Sequence, residues 1–363
     1  MSGPSFGVEE EFLLVDPATG RPVGRNTGVA RLAAQWGVDL QLELTTSQVE
    51  TTTVKLESSS QLRQEISRLR AVTSEAAGSV GAVLLAVGVP PIARRTVSIT
   101  AKPRYRRMAE HFGLVAYEQC ICGCHVHVEV PNRDAAIEVS NWLRPWLPLL
   151  LALSANSAIY RGVDTGYASW RNVLWGRWPS AGPPPYFESV AHYDAEVSML
   201  LDCGAMLDDG MLYWDIRPSS KFPTVEIRVA DVPATAAETV LLATLSRAAV
   251  MTALNAYDRG ERAPRIDDHV VRAAYWKAAH DGLDGQAVDV FDGWTTAPAV
   301  DVLDRWLTIL RPALEDLGDH DWVREEITRI VVEGNGAMRQ RRTWREGGSA
   351  CAVAIDAAAS TIS

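Results

Sequence analysis

The stretch Cys120-Ile121-Cys122-Gly123-Cys124-His125-Val126-His127-Val128-Glu129-Val130 constrains the fold more than any other part of the chain. In an extended strand, successive side chains point to opposite faces. Cys120, Cys122, Cys124, Val126, Val128 and Val130 then share one face, apolar throughout, while Ile121, Gly123, His125, His127 and Glu129 share the other. A strand with a core-forming back and with imidazoles and a carboxylate in front can carry a metal or phosphate site across a sheet. The same pattern also suits a half-exposed strand whose polar face simply meets water. The three cysteines fall on the packing face, where a free thiol behaves as a small hydrophobe. They are expected to be buried thiols, with neither zinc nor a disulfide.

Upstream, Phe6–Val15 reads as a strand closed by the turn signal Asp16-Pro17-Ala18-Thr19-Gly20. Glu9 and Glu11 share a face with Gly7, Leu13 and Val15. Glu10 falls on the opposite face with Val8, Phe12 and Leu14, which puts it near an edge or against a cation. Carboxylates two residues apart on one face repel, and a shared metal removes that cost; a solvated acidic strand accounts for the pair equally. Residues 38–44 and 48–54 read as the arms of a hairpin. A two-residue loop at Thr46-Ser47 would set Glu43 directly opposite Glu50, a repulsive pairing that a cation reverses.

Further along, residues 58–87 read as a long helix running into a strand near 83–89, and residues 103–112 as a basic loop and short helix. Residues 134–160 read as an apolar helix kinked by Pro145 and Pro148. The loop 162–188 is different in kind, with Trp170, Trp175, Trp178, Arg171, Arg177 and the run Gly182-Pro183-Pro184-Pro185. Such a loop either binds something between aromatic walls and cationic donors or clamps on its own side chains. Strands at 214–218 and 224–229 follow, and in the second Val225, Ile227 and Val229 face the core while Glu226 and Arg228 share the other side. That pair is a surface ion pair or, beside a polyphosphate, a metal ligand and a charge clamp. Helices are expected at 236–257, 267–280, 299–317 and 321–342. The last ends in Arg339-Gln340-Arg341-Arg342, a solvated basic face or a phosphate-binding element, and an Ala-rich tail from about 351 is expected to be loose.

The chain's 363 residues allow one large domain or two, and its net charge of −10 argues against a nucleic-acid partner. Five cysteines, three of them on one strand face, do not form a disulfide framework, so a reducing cytoplasm is expected. The start Met1-Ser2-Gly3-Pro4 has neither the basic region nor the apolar core of a signal peptide. The most apolar run, 146–155, is too short to span a bilayer, so no membrane association is expected. Neither a GxxxxGK[ST] loop nor a GxGxxG turn after a strand is present. Nucleotide binding, if it occurs, would have to come from a sheet that carries metals.

Gly7-Val8-Glu9-Glu10-Glu11, the Glu43/Glu50 pair, Gly123-Cys124-His125-Val126-His127 and Val225-Glu226-Ile227-Arg228 occur in this order in glutamate–cysteine ligases. The chain resembles more closely the YbdK-type carboxylate–amine ligases. Tyr167-x-Ser169-x-Arg171 through Trp178-Pro179-x-Ala181-Gly182-x-Pro184 and Gly334-Asn335-Gly336-Ala337-x-Arg339-Gln340-Arg341 carry that likeness. It spans about residues 6–348 and implies an α+β fold of glutamine-synthetase type. One catalytic domain over residues 1–363 is then expected, a curved, mainly antiparallel sheet forming a funnel with helices on its outer face. It further implies ATP and Mg²⁺, with Mn²⁺ as an alternative. Glu11, Glu43 and Glu50 would hold one ion, and Glu9, His125 and Glu226 another. Arg228, with Glu226, would be catalytic, stabilising the transferred phosphoryl group. Arg171, Arg217, Lys221 and Asn172 would bind substrate, and Arg339 and Arg341 the cofactor. The implied reaction joins the γ-carboxyl of L-glutamate to cysteine or another amine through a γ-glutamyl phosphate, with ADP and phosphate released. The partners are then small molecules, and a homo-oligomer is compatible. The competing class is a zinc metallohydrolase on His125-x-His127-x-Glu129.

Overall fold

A computed structural model describes residues 3–93 and 96–363. Strands β1 (Phe6–Val15), β2 (Gln41–Leu42), β3 (Gln48–Thr52), β4 (Val83–Leu85), β5 (Gly123–Glu129), β8 (Ile216–Pro218) and β9 (Thr224–Asp231) form the main sheet. Two short hairpins, β6 (Ile159–Tyr160) with β7 (Val163–Asp164) and β10 (Gln286–Asp289) with β11 (Thr295–Pro298), stand apart from it. The main sheet is seven-stranded in the order β2-β3-β1-β5-β9-β8, with β4 pairing β1 beyond that path, and every pairing is antiparallel. The helices lie on the outer face, as the alternation of β1, β5 and β9 requires. Val8, Val126, Val128, Val225, Ile227 and Val229 are buried in one cluster with residues of the helices Ser59–Ser79, Leu147–Ser154 and Ala236–Asp258. Ala236–Asp258 is long and apolar enough to cross a membrane, but most of it is buried in this core.

Cys120, Cys122 and Cys124 are free, buried thiols, and burial raises the pKa of each. Cys124 packs among the valines of the core. Cys124→Ala should therefore cost about 1 kcal/mol, the scale for deleting one buried atom or methyl, and leave catalysis within about two-fold. Stoichiometric zinc that disappears with this substitution would show that these thiols face a metal and not the core.

Several local expectations change. The hairpin register pairs Gln41, not Glu43, with Glu50, because the connection runs from residue 43 to 47 instead of two residues. That two-residue slip keeps Glu43 on the parity expected for it. Residues 103–112 are helical from Pro103 onward, and Pro145 and Pro148 divide one helix into Arg133–Leu143 and Leu147–Ser154. The expected helix 321–342 is two, His320–Glu333 and Gly336–Gly347, broken at Gly334 (φ +88°) and recapped by the Asn335 side chain. The Ala-rich tail is not loose. It forms the helix Ala350–Thr361, with Val353, Ala354, Ala357 and Thr361 buried and the Ser349 side chain as its cap.

Candidate active site

The register across the sheet brings the acidic and basic side chains into rows on one face. Glu11 of β1 lies opposite Glu50 of β3, and Glu9 lies opposite His125 of β5. His127 lies opposite Glu226 of β9, which in turn faces Arg217 of β8. Between the pairs Cys124–Ala230 and Val126–Ile227 the ladder slips, so two β9 residues, Arg228 and Val229, oppose His125 alone. Bulges of this kind re-aim a side chain, and here Arg228 turns toward Glu226 and His125.

These residues line a cavity of about 500 Å³, bounded by Glu9, Glu11, Glu43, Glu50, His125, His127 and Glu226 along the sheet and by Arg171, Arg217 and Arg228 beside them. Lys221 reaches it from the β8–β9 loop, and Trp175, Trp178 and Tyr213 form an aromatic wall. Ligand atoms of Glu9, His125 and Glu226 lie within 4.8 Å of one another, as do those of Glu11, Glu50 and His125. Glu43 lines the cavity but is in neither cluster, so the three carboxylates that the resemblance assigned to one ion are not brought equally close.

Burial raises the carboxyl pKa of Glu11, Glu43 and Glu50. Glu50 is raised furthest, because Glu43, Glu9 and Glu11 add their charge to the desolvation. Burial also works to raise Glu9, but His125, with Nδ1 at 3.1 Å, and His127 outweigh it and hold that carboxyl below the ordinary range. Burial and then Arg228 lower His125, which favours the neutral imidazole that a metal needs. Glu226 is drawn below the usual range against the effect of burial by Arg228 and Arg217, the latter at 2.8 Å. Mutually repelling, mostly half-buried carboxylates, with oxygen donors predominating and one imidazole, fit Mg²⁺ or Mn²⁺.

Arg171 is held by devices that the strand pattern does not reveal. Ser169 caps the helix Trp170–Trp175 and donates its hydroxyl to Asp231 at 2.8 Å, and Ser157 donates to the same carboxylate at 2.6 Å. Ser157 Oγ also accepts from the Arg171 backbone at 3.0 Å. The guanidinium lies directly over Gly123, where a Cβ would come within 2.9 Å of Arg171 Cζ. Gly123 is thus the seat for this arginine. Asp215, wholly buried, is pushed up to about 6 by burial, with Arg171 and Arg228 nearby pulling the other way.

Three expected site residues lie elsewhere. Asn172 lines a separate recess behind Trp175. Arg339 pairs with Glu238 at 2.8 Å, and Arg341 with Asp164 at 3.4 Å, and neither lines the cavity. Their motif serves the fold instead. Gln340 bonds the backbone of Asn156, Ala158 and Ile159, and Gly336 leaves room for the Asn156 side chain. The motif thereby braces the loop whose Ser157 supports Arg171. Glu129 turns to Ser5 at 2.5 Å and Lys55 at 3.0 Å, so it does not join His125 and His127 in a zinc triad. Strand alternation and the family likeness give no role to Asp231, Asp215 or Gly123, although a glycine inside a strand is a recognised sign of close approach.

The profile of glutamate–cysteine ligase family 2 matches residues 5–353. The chain is 60% identical over 361 residues to the "Putative glutamate--cysteine ligase 2-3" of Mycolicibacterium smegmatis, covering 99% of each. It is 53% identical to the "Putative glutamate--cysteine ligase 2-1" of Nocardia farcinica, covering 100% of this chain and 94% of that protein. Among solved structures, the fold is similar to a glutamate–cysteine ligase from Francisella tularensis in complex with AMP, with a TM-score of 0.71, 16% identity, and coverage of 100% of this chain and 90% of that one. It is also similar to a bifunctional glutathione synthetase from Pasteurella multocida, with a TM-score of 0.74 and 15% identity. That likeness covers 99% of this chain but only 52%, about half, of the Pasteurella chain. The sheet is therefore of the glutamine-synthetase-like type, and the chain belongs to glutamate–cysteine ligase family 2 as an ATP-dependent carboxylate–amine ligase.

Proposed function

We propose that the acid substrate is L-glutamate, activated at its γ-carboxylate as a γ-glutamyl phosphate and then transferred to an amine. The observation that carries this reading is the meeting, in one cavity, of Glu9, Glu11, Glu43, Glu50, His125 and Glu226 with Arg171, Arg217 and Arg228. A carboxylate does not react with an amine until it is phosphorylated, and such a step needs cations on one side of the phosphates and guanidinium charge on the other. Glu9, His125 and Glu226, and Glu11 and Glu50 with Glu43 nearby, would hold Mg²⁺, or Mn²⁺ in its place. The bound ions would neutralise the ATP phosphates and orient the transferred group.

The chain's own groups divide the remaining work. Arg228 holds its charge where the phosphoryl group passes from donor to acceptor. Arg171 grips the α-carboxylate of glutamate, with Arg217 and Lys221 as neighbouring cations. The nucleoside sits beyond Glu9, His127 and Phe222, where the cavity meets a recess of about 250 Å³ lined by Val54, Lys55 and Pro223. The aromatic wall keeps water from an acyl phosphate that it would hydrolyse.

The test is ADP release with ATP, Mg²⁺, glutamate and hydroxylamine, scored by formation of glutamyl hydroxamate. Glu11→Gln and Glu50→Gln should abolish hydroxamate while leaving the metal-free melting temperature within a few degrees, since each removes a repelling charge. ADP release that does not need glutamate, or unfolding of both variants, would sink the proposal.

A further inference from the structure

Glu43 is held differently from the other carboxylates of the cavity. Glu9, Glu11, Glu50 and Glu226 each sit in a paired strand with a residue opposite them. β2 pairs with β3 only through Gln41 and Leu42, and the chain leaves the ladder at Glu43. Among the described residues, none stands across from Glu43 in a strand pairing.

Residues 98–105 supply the missing support. The Leu42 carbonyl, in the peptide that joins Leu42 to Glu43, accepts from Lys102 Nζ at 3.0 Å and from the Tyr105 hydroxyl at 2.9 Å. On the other side of Glu43, the Leu44 carbonyl accepts from the Thr100 N–H at 2.9 Å, and the Thr46 N–H donates to the Ser98 carbonyl at 2.9 Å. Both donors to Leu42 stand at the start of the helix Pro103–Phe112, Lys102 just before it and Tyr105 in its first turn. Arg104 fastens that turn to Asp208 by two hydrogen bonds of 2.8 Å. A carbonyl oxygen has two lone pairs, and here both are engaged. The peptide that carries Glu43 cannot rotate without losing both bonds. The charges agree with this arrangement. Burial raises the Glu43 carboxyl, and the Leu44 N–H and then the Lys102 ammonium act against it. Burial, with Glu43 and Glu50 nearby, raises the pKa of Tyr105, so its hydroxyl keeps the proton that it donates.

We propose that Tyr105 and Lys102 are positioning residues for Glu43: by fixing the Leu42 carbonyl, they set how closely that carboxylate approaches a cation held by Glu11 and Glu50. This rests on the reading above in which these carboxylates bind Mg²⁺ or Mn²⁺. Glu43 lines the cavity outside both tight ligand clusters, so its contribution depends on the backbone that aims it. Groups that orient a ligand without touching the metal still govern its affinity.

The experiment titrates Mn²⁺ alone into the full chain and follows the free ion by electron paramagnetic resonance, the relevant site being the one that Glu11→Gln empties. Tyr105→Phe removes a hydroxyl and no charge, and should weaken Mn²⁺ at that site about ten-fold or more. The Mg²⁺ concentration for half-maximal ADP release should rise in parallel, with the KM for glutamate within about two-fold of the parent. In a Glu43→Gln background, Tyr105→Phe should change Mn²⁺ affinity by less than about two-fold, because the ligand that it aims is gone. Lys102→Met offers a second route. Loss of a positive charge would by itself tighten Mn²⁺, whereas loss of the clamp should weaken it by about three-fold or more. Unchanged Mn²⁺ affinity in Tyr105→Phe, an equal loss with and without the Glu43 carboxylate, or tighter binding in Lys102→Met would each overturn the proposal while leaving the metal reading in place. Mn²⁺ binding that neither Glu11→Gln nor Glu50→Gln alters would remove both.

Discussion

Arg228→Ala is expected to lower kcat by about 10³-fold while leaving the KM for glutamate nearly unchanged. The guanidinium is buried beside Trp175, shares Glu226 with Arg217 and opposes His125 across the bulge. In that position its charge matters most while the phosphoryl group is between oxygens. Arg171→Ala should behave oppositely, raising the glutamate KM by roughly 10- to 100-fold, or about 1.5–3 kcal/mol for a lost charged hydrogen bond, with a smaller fall in kcat. Gly123→Ala should reproduce the Arg171 phenotype without removing any polar atom, because its Cβ would collide with Arg171 Nη2 and stand 2.9 Å from Arg171 Cζ. Steady-state ADP release against glutamate concentration distinguishes these cases. An unchanged KM in Arg171→Ala would put the acid on other cations, with Arg217 and Lys221 next in line.

Strand alternation makes the polar face legible because its period survives small errors. The hairpin connection differs from expectation by two residues, yet an even slip preserves every face, so Glu43 and Glu50 still line the cavity. A slip of one would have buried both. What alternation cannot convey is which distant side chain completes a site. Arg339 and Arg341 look like phosphate binders in a basic run, but their partners, Glu238 and Asp164, lie far away in sequence. The support of Arg171 likewise depends on Asp231, Ser157 and Ser169 meeting from separate segments. The split of the last long helix is visible in Gly334-Asn335-Gly336, a stop signal followed by a cap, but is outweighed by the apolar spacing on both sides of it.

Glu10 shows the same limit and carries the largest expected effect on stability. Its parity puts it on the core side of β1, where it needs a cation, and the cation is Arg70, sixty positions on in the helix Ser59–Ser79. Both side chains are buried, at 0% and 1% exposure, which decides that solvent does not screen the pair. They are 2.5 Å apart, Thr239 donates its hydroxyl to Glu10 at 2.7 Å, and Arg70 also donates to the carbonyls of Pro233, Ala234 and Thr361. One guanidinium thus joins the central strand, the start of the helix Ala236–Asp258 and the end of the C-terminal helix. Arg70→Met should cost about 3–5 kcal/mol, because it leaves a carboxylate buried without its partner. Adding Glu10→Leu should return part of that loss, since no charge then remains buried, while the three carbonyls stay unpaired and hold the double variant below the parent. Denaturant midpoints of the parent, both single variants and the double variant measure the coupling. A double variant less stable than Arg70→Met alone would mean that Glu10 is satisfied by Thr239, and that Arg70 acts only as a tether for the carbonyls.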